Sequence, residues 1–500
     1  MTLIAIDIGT THCKAGLFDE NGTAVRLASR PTISHQSPGG WKYYDPAEIV
    51  ETIVSIIREV THNQTAPIAA VGIASMAETG LMVDRRTGTP RSYLIPWFET
   101  DAQPMADQIH EKSDPLENYL KFGTKVSFKS SLAKILWLCQ EEGCDTTESI
   151  WLSAADYVAY RLTGVFATDY SLAGRTLAFR VDTKAWDEDW LRSWGLSSGL
   201  FPPAGPSGKP IGAVIHDGLG LERGTPVAVC GHDHVCAALA MGAVVPGIVF
   251  DSMGTAETLI GALPERPLTE ADFHNGLQYG CHVAHGLGYW MGGLSASGGS
   301  IEWFRSLMSP PVPSYADMEE LLRSAGPDPT GIIYFPYLFG SGSPHTDPHA
   351  RGAFIGLSNA HSAANLFKAV LEGTAFELEF IRQAGEQMTG QNIPDLVAAG
   401  GGTRYQDWMQ IKADVSGCKI EVSGEPEATL LGAAMAAGIG CGQFDDLNQA
   451  LAAMGPRDVE VYLPNMEKHA VYQALYKRGY LSMQDSLRRY SSVYREALSE

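Results

Sequence analysis

Two stretches far apart in this 500-residue chain follow one pattern. "LIAIDIGTTHCKAGLFDENG" (3–22) holds Asp7 in an apolar run, continues as Gly9-Thr10-Thr11, and returns as a second apolar run closed by Asn21-Gly22. "GIVFDSMGTAETLIGAL" (247–263) holds Asp251 in an apolar run, then Gly254-Thr255-Ala256, then a second apolar run. Each run reads as a buried strand. A carboxylate inside such a strand is costly unless something positive sits beside it. Gly9 permits a tight turn, and the hydroxyls and amides that follow suit a phosphate. The repeat therefore predicts a duplicated fold whose two hairpin tips close on one anionic ligand. The expected boundary lies near residue 246, giving domains 1–246 and 247–500.

The remaining chain alternates strand and helix signals, as in an α/β protein. Asp45-Pro46-Ala47-Glu48 is a helix start, and Ile49, Val50, Ile53, Ile56, Ile57 and Val60 follow at helical spacing. "IAAVGIASM" (68–76), "LMVD" (81–84) and "YLIPWF" (93–98) read as strands. "TPVAVCGHDHVCAALAMGAV" (225–244) is a strand, a polar turn and a small-residue helix. "LVAAGGGTRYQDWMQIKADVSG" (396–417) is a strand, a glycine triplet and a helix, and "EATLLGAAMAAGIG" (427–440) is another small-residue helix. With 57 acidic residues against 36 basic ones, the net charge is −21. Such a chain is a poor partner for nucleic acid or an anionic membrane. Its eight cysteines form no CxxC pair and several lie in apolar stretches, so reduced thiols and a cytoplasmic setting are expected. Leu3 opens a strand where a leader would place a basic segment, and no apolar run nears the ~20 residues of a membrane span.

Four features can carry chemistry. The first is the opening hairpin, with Asp7 for a magnesium shell, Gly9 to Thr11 for phosphate and Lys14 as a point charge. "MGTA" (253–256) is the matching turn. Gly400-Gly401-Gly402 leaves backbone open to a flat ring, although a glycine triplet is often only a tight turn. "CGHDHVC" (230–236) admits three readings: His232, Asp233 and His234 as part of a metal site, Asp233 as a general base at a strand end, or Asp233 as a helix cap. "GLGYWMGG" (286–293) fails the dinucleotide spacing, and "GSGS" (340–343) fails that of a hydrolase nucleophile.

Taken in order, these stretches resemble the FGGY family of carbohydrate kinases over nearly the whole chain. "DIGTTHCK" resembles its first phosphate motif, and "DYVAYRLTGVFATDYSLAGRT" (156–176) its Leu-Thr-Gly and Thr-Asp-x-Ser stretch. "GHDHVCAALAMGAV" resembles the segment with the catalytic aspartate, and "MGTA" the second phosphate loop. "GAFIGLSNAHSAANLFKAVLEG" (352–373) is similar to the C-terminal signature, and "GGGTRYQDWMQIKADVSG" to the adenine-side loop and helix. The departures fall where an acceptor is chosen. Xylulokinase-type enzymes carry Met-His and glycerol kinases Arg-Glu where this chain has Ala77-Glu78. Asp101 stands where Arg is expected, and His234 where Asn or Gln follows the catalytic Asp.

The resemblance implies an α/β fold of two ribonuclease-H-like (actin-like ATPase) domains around a deep cleft. It implies ATP as co-substrate and Mg²⁺ held through water by Asp7 and Asp233, with Asp233 as general base. Gly9, Thr10, Thr11, Lys14, Gly254 and Thr255 would hold the phosphates, and Gly340, Gly401, Gly402 and Gln406 the nucleoside. Glu78, Trp97, Asp233 and His234 would meet the acceptor, a neutral ketose or, failing that, a polyol. Glu78 could instead pair locally with Arg85 or Arg86, and Asp101 would make the rim acidic and disfavour sugar acids. At most a second copy of the chain is expected as partner. A non-catalytic sugar sensor would have lost Asp7, Thr11, Asp233 or Thr255, all of which are present; a metallohydrolase would need no ATP.

Overall fold

A computed structural model describes residues 1–308 and 310–498. The first hairpin forms as β1 (Thr2–Ile8) and β2 (His12–Phe18), and β3 (Ala24–Pro31) follows. Gly22 at φ +80° and the Asp19 carboxylate, which accepts from the Asn21 and Thr23 amides, make the turn between β2 and β3. Helix α1 (Pro46–Thr61) begins where Asp45 accepts the Ala47 amide, and its isoleucine stripe is buried. Strand β4 (Ile68–Ser75) runs parallel to β1. After β5 (Pro210–Ala213), β6 (Pro226–His232) lies parallel to β4 and passes directly into α2 (Asp233–Ala240). The sheet order is β5-β6-β4-β1-β2-β3.

The second half repeats the plan. Strands β7 (Ile248–Met253) and β8 (Glu257–Pro264) form its hairpin, extended by β9 (Gln278–Cys281) and β10 (Leu287–Leu294). Helix α3 (Gly298–Ser306) then packs its first turn on the hairpin tip, and α4 (Ala363–Thr389) crosses the domain core. Strands β11 (Asp395–Ala399) and β12 (Lys419–Ser423) add in parallel around α5 (Gln406–Ser416). After α6 (Ala428–Gly440), β13 (Val459–Tyr462) closes the order β9-β10-β8-β7-β11-β12-β13. In both halves a leading strand has its antiparallel hairpin on one side and two parallel strands on the other. Among the described residues, no helix is long and apolar enough to cross a membrane.

Helix α6 explains the small-residue sequence of 427–440. It leaves the second half and packs on β1, β4 and α2 of the first. Leu3, Ala5 and Ala70 from one sheet share a core with Phe250, Ile260 and Val397 from the other, with α2 and α6 between them. A Cβ on Gly432 would fall 1.8 Å from the Cys236 carbonyl oxygen, and one on Gly72 would fall 2.5 Å from that of Ala433.

The stretch 93–98 differs from expectation. It makes only single bridges, Leu94 with Tyr44 and Ile95 with Gly80, because Pro96 offers no amide to continue a ladder. Strand 80–84 pairs with 149–153, outside the main sheet.

Gly432→Ala should lower stability by about 1–3 kcal/mol, since neither backbone can yield. Gly205→Ala, where a Cβ meets nothing within 4 Å, should stay within about 0.5 kcal/mol. Thermal-shift measurement separates the two; equal melting temperatures would contradict the close crossing.

Candidate active site

The parallel strands of the first half end together. After β1, Gly9 closes its turn by donating its N–H to the His12 carbonyl (3.1 Å), and a Cβ there would meet that oxygen at 2.8 Å. After β4, the Met76 amide reaches back to the Ile8 carbonyl, and Glu78 follows at φ +60°. After β6 comes Asp233, the first residue of α2. The helix cap position belongs to His232, whose side chain makes no capping bond, so Asp233 is not the cap. Across a cleft of about 670 Å³ stands the Gly254-Thr255 turn, braced by the amides of Ser297, Gly298 and Gly299 at the start of α3. Thr10, Thr11, Glu78, Trp97, Asp233 and His234 line one wall, and Gly254 and Thr255 the other.

Two carboxylates stand close at these strand ends, Asp233 in the cleft lining and Asp7 outside it. Asp7 Oδ1 is buried with no hydrogen-bond partner among the described residues. Burial first, then the charge of Asp233, pushes the Asp7 carboxyl well above the usual range, while Lys14 opposes the rise. Burial also pushes Asp233 up, to about 7, against a lowering bond from the His234 amide (2.7 Å). A fifth of the Asp233 side chain still faces the cleft, so water tempers that rise. Burial keeps both His232 and His234 neutral by lowering their pKa. An orphaned carboxylate oxygen near a second acid is a place for a cation, and an all-oxygen pair suits Mg²⁺.

Lys14 does not stand free for phosphate. Its Nζ lies 2.7 and 3.0 Å from the two oxygens of Glu427, just before α6. Thr429 at the start of α6 donates to the Asp233 carbonyl (3.4 Å), so α6 touches both sides of the floor. Asp251, the counterpart of Asp7, is paired through Oδ2 at 3.0 Å with the fully buried Lys412, which also binds Glu257, while its Oδ1 lacks a partner among the described residues as that of Asp7 does.

On the acceptor side, Glu78 is paired, but with neither Arg85 nor Arg86. Its Oε1 accepts from Nε (3.0 Å) and Nη2 of Arg175, whose Nη1 donates to Gln278 of the opposite half. Arg85 is spent on the carbonyls of Ser149 and Gly199. The buried Lys134 donates to the Glu78 carbonyl (2.5 Å) and holds its left-handed turn. Trp97 Nε1 donates to the Thr10 hydroxyl (2.9 Å), which ties the acceptor wall to the first loop. Lys129 lies 5.0 Å above the Trp97 ring. Asp101 is exposed and outside the lining, so it does not acidify the rim. Arg175, Gln278, Lys129 and Lys134 were missed; an arginine inside the apolar stretch "SLAGRTLAF" was the one signal available.

The nucleoside-side residues are spread more widely. Gly401 has open space where a Cβ would stand, whereas Gly400 (φ +117°) and Gly402 pack against Met253. Gly340 lies outside the cleft lining, at φ +82° against Asp347 and Pro348, so its turn already requires glycine. Gln406 is exposed and bonds Glu460 at 3.2 Å.

Two outcomes follow from this geometry. Asp7 keeps its proton longer in the folded than in the unfolded state, so its burial erodes stability as pH climbs above about 4. A divalent cation relieves that cost. MgADP should therefore raise the melting temperature over ADP alone by more at pH 8 than at pH 5, by about 2 °C or more. Asp7→Asn should abolish the difference, and an equal gain at both pH values would refute the assignment. Glu78→Gln should raise the acceptor KM or lower turnover by about 10- to 100-fold while sparing the ATP KM. Unchanged acceptor kinetics would remove Glu78 from the pocket.

Comparison with known proteins converges on one group. The profile described as "FGGY family of carbohydrate kinases, N-terminal domain" matches residues 2–240, and its C-terminal counterpart matches 250–441. A xylulose kinase of Bacillus subtilis is 28% identical over 97% of each chain. A glycerol kinase of Gloeobacter violaceus is 29% identical over 95% of this chain and 94% of its own. The ligand-bound xylulose kinase structure from Lactobacillus acidophilus superposes with a TM-score of 0.90 over 99% of both chains at 22% identity, a likeness of fold. With both halves and the segments around the cleft matched in order, this chain belongs to the FGGY family of carbohydrate kinases.

Proposed function

We propose that this enzyme transfers the γ-phosphoryl group of ATP to a hydroxyl of a small neutral sugar, a ketose in the first instance. One observation carries the reading: Asp233, raised toward neutrality by burial, faces the cleft opposite the Gly254-Thr255 turn and beside the orphaned Asp7 oxygen. The acceptor hydroxyl would donate to Asp233, which takes its proton as the oxygen attacks the γ-phosphorus. The new O–P bond forms as the bond to the β-phosphate oxygen breaks, and ADP leaves with that electron pair. Thr11, Thr255 and the amides of their turns would meet the charge on the phosphoryl oxygens. Asp7 and Asp233 would hold Mg²⁺ through water, and that ion supplies charge neutralisation on the phosphates. Gly401 leaves room for the nucleoside.

The charge balance favours neutral acceptors. Arg175 is spent on Glu78 and Gln278, leaving a sugar acid only Lys129, out beside Trp97. A polyol is the second reading, because Arg175 supplies a guanidinium beside Glu78 where Ala77 does not. The expected setting is cytoplasmic.

Coupled ADP release over pentuloses, hexuloses, tetroses, polyols and gluconate tests the class. Neutral ketoses should lead; efficient use of gluconate would overturn the neutral pocket. Asp233→Asn should lower turnover by about 10²–10⁴-fold. In the parent, kcat/KM for the acceptor should rise with pH as Asp233 loses its proton near 7. Turnover within a few-fold of the parent in Asp233→Asn would exclude it as base.

A further inference from the structure

We propose that His232, Asp233 and His234 form a binding site for a dication of the Zn²⁺ class, and that filling it shuts the acceptor side of the cleft. Strand β6 ends at His232 in extended backbone (φ −65°, ψ 126°), and α2 begins at the next residue. That junction brings the two imidazoles face to face: their centroids are 5.5 Å apart and their planes 20° from parallel. One ligand atom from each of the three residues lies within 4.8 Å of the other two. His232 Nε2 is already 3.2 Å from Asp233 Oδ1, a spacing that two donors to one metal would share.

A second observation points to a ligand. His232 is only 6% exposed, yet its Nδ1 is buried without a hydrogen-bond partner among the described residues. Nε2 is the ring nitrogen turned to Asp233; with Nδ1 unpaired, no protein partner among the described residues fixes the ring's tautomer against a metal at Nε2. All three residues line the cleft, which supplies an entry path and room for water as a further ligand.

The donor set decides the metal class. Two imidazoles and one carboxylate suit Zn²⁺, Co²⁺ or Ni²⁺, whereas Mg²⁺ prefers oxygen throughout. The site is thus chemically separate from the oxygen-rich position at Asp7, although Asp233 borders both. A metal that takes the Asp233 lone pair removes the acceptor's proton acceptor and crowds the space beside His234. Because Asp233 is also placed at the Mg²⁺ position, the inhibition it causes should compete with acceptor and be eased by excess Mg²⁺. That second half rests on the kinase reading; the binding itself does not.

The test begins with Co²⁺ titrated into the full chain, freed of metal by chelation and without nucleotide, followed by visible absorption. A saturable band is expected. His234→Asn and, separately, His232→Gln should each weaken it at least about tenfold, a loss of about 1.4 kcal/mol or more. Circular dichroism and melting temperature identify the variant that keeps its fold. No band in the parent, or equal affinity in every folded variant, as thiol binding elsewhere would give, overturns the site. In ADP-release assays at saturating MgATP, Zn²⁺ should then raise the acceptor KM reversibly, and excess Mg²⁺ should lower it again. An acceptor KM unchanged by Zn²⁺ would overturn the blocking role. A band that depends on both histidines in a chain that phosphorylates no acceptor would uphold the site and refute the kinase reading instead.

Discussion

The backbones of α2 and α6 approach so closely at Gly432 and Cys236 that a single methyl would not fit between them. This contact holds one sheet to the other through a core of alanines and glycines, and it also sets the floor of the cleft. The first residue of α2 is Asp233. The residue preceding α6 is Glu427, which grips Lys14. A looser crossing would part Asp233 from the hairpin that carries Lys14. The alanines and glycines of these helices therefore act on the site through spacing alone.

Duplication gave both halves an aspartate in the leading strand of a hairpin, and the two have diverged. Asp251 is fully buried with Lys412 on its Oδ2 and Glu257 beside it, and its Oδ1, like that of Asp7, has no hydrogen-bond partner among the described residues. Asp7 has an oxygen left over and a second carboxylate nearby. Each half crowds two carboxylates, but in the second a buried lysine stands between them, whereas the lysine nearest Asp7 is held by Glu427. The same sequence pattern thus sits in two electrostatic settings, one around a buried lysine and one beside Asp233.

Much of this was legible in the chain because its signals are local. Hairpins announce themselves by apolar runs around Gly-Thr, and α1 by its Asp-Pro cap and isoleucine stripe. The segment 93–98 misled because its apolar content imitates a strand while Pro96 breaks the ladder. Partners were not legible. Glu78 pairs with Arg175, 97 positions away, and Lys14 with Glu427, 413 positions away. No spacing rule reaches so far, so a point charge assigned to phosphate and a carboxylate assigned to sugar each proved to have a protein partner as well. Asp101 drew attention only as a departure from family pattern, and it lies on the surface.

The Lys14–Glu427 pair changes what an arriving anion finds. Lysine near a phosphate loop is usually counted as attraction, but here its charge is already cancelled by two oxygens of one carboxylate. A singly charged anion that displaces Glu427 merely trades one contact for its equal and strands a carboxylate. A polyphosphate brings several charges and a second anchorage at the facing turn, so it gains from the exchange. Were the first hairpin to take phosphate, the pair would favour visitors that carry several negative charges over those that carry one.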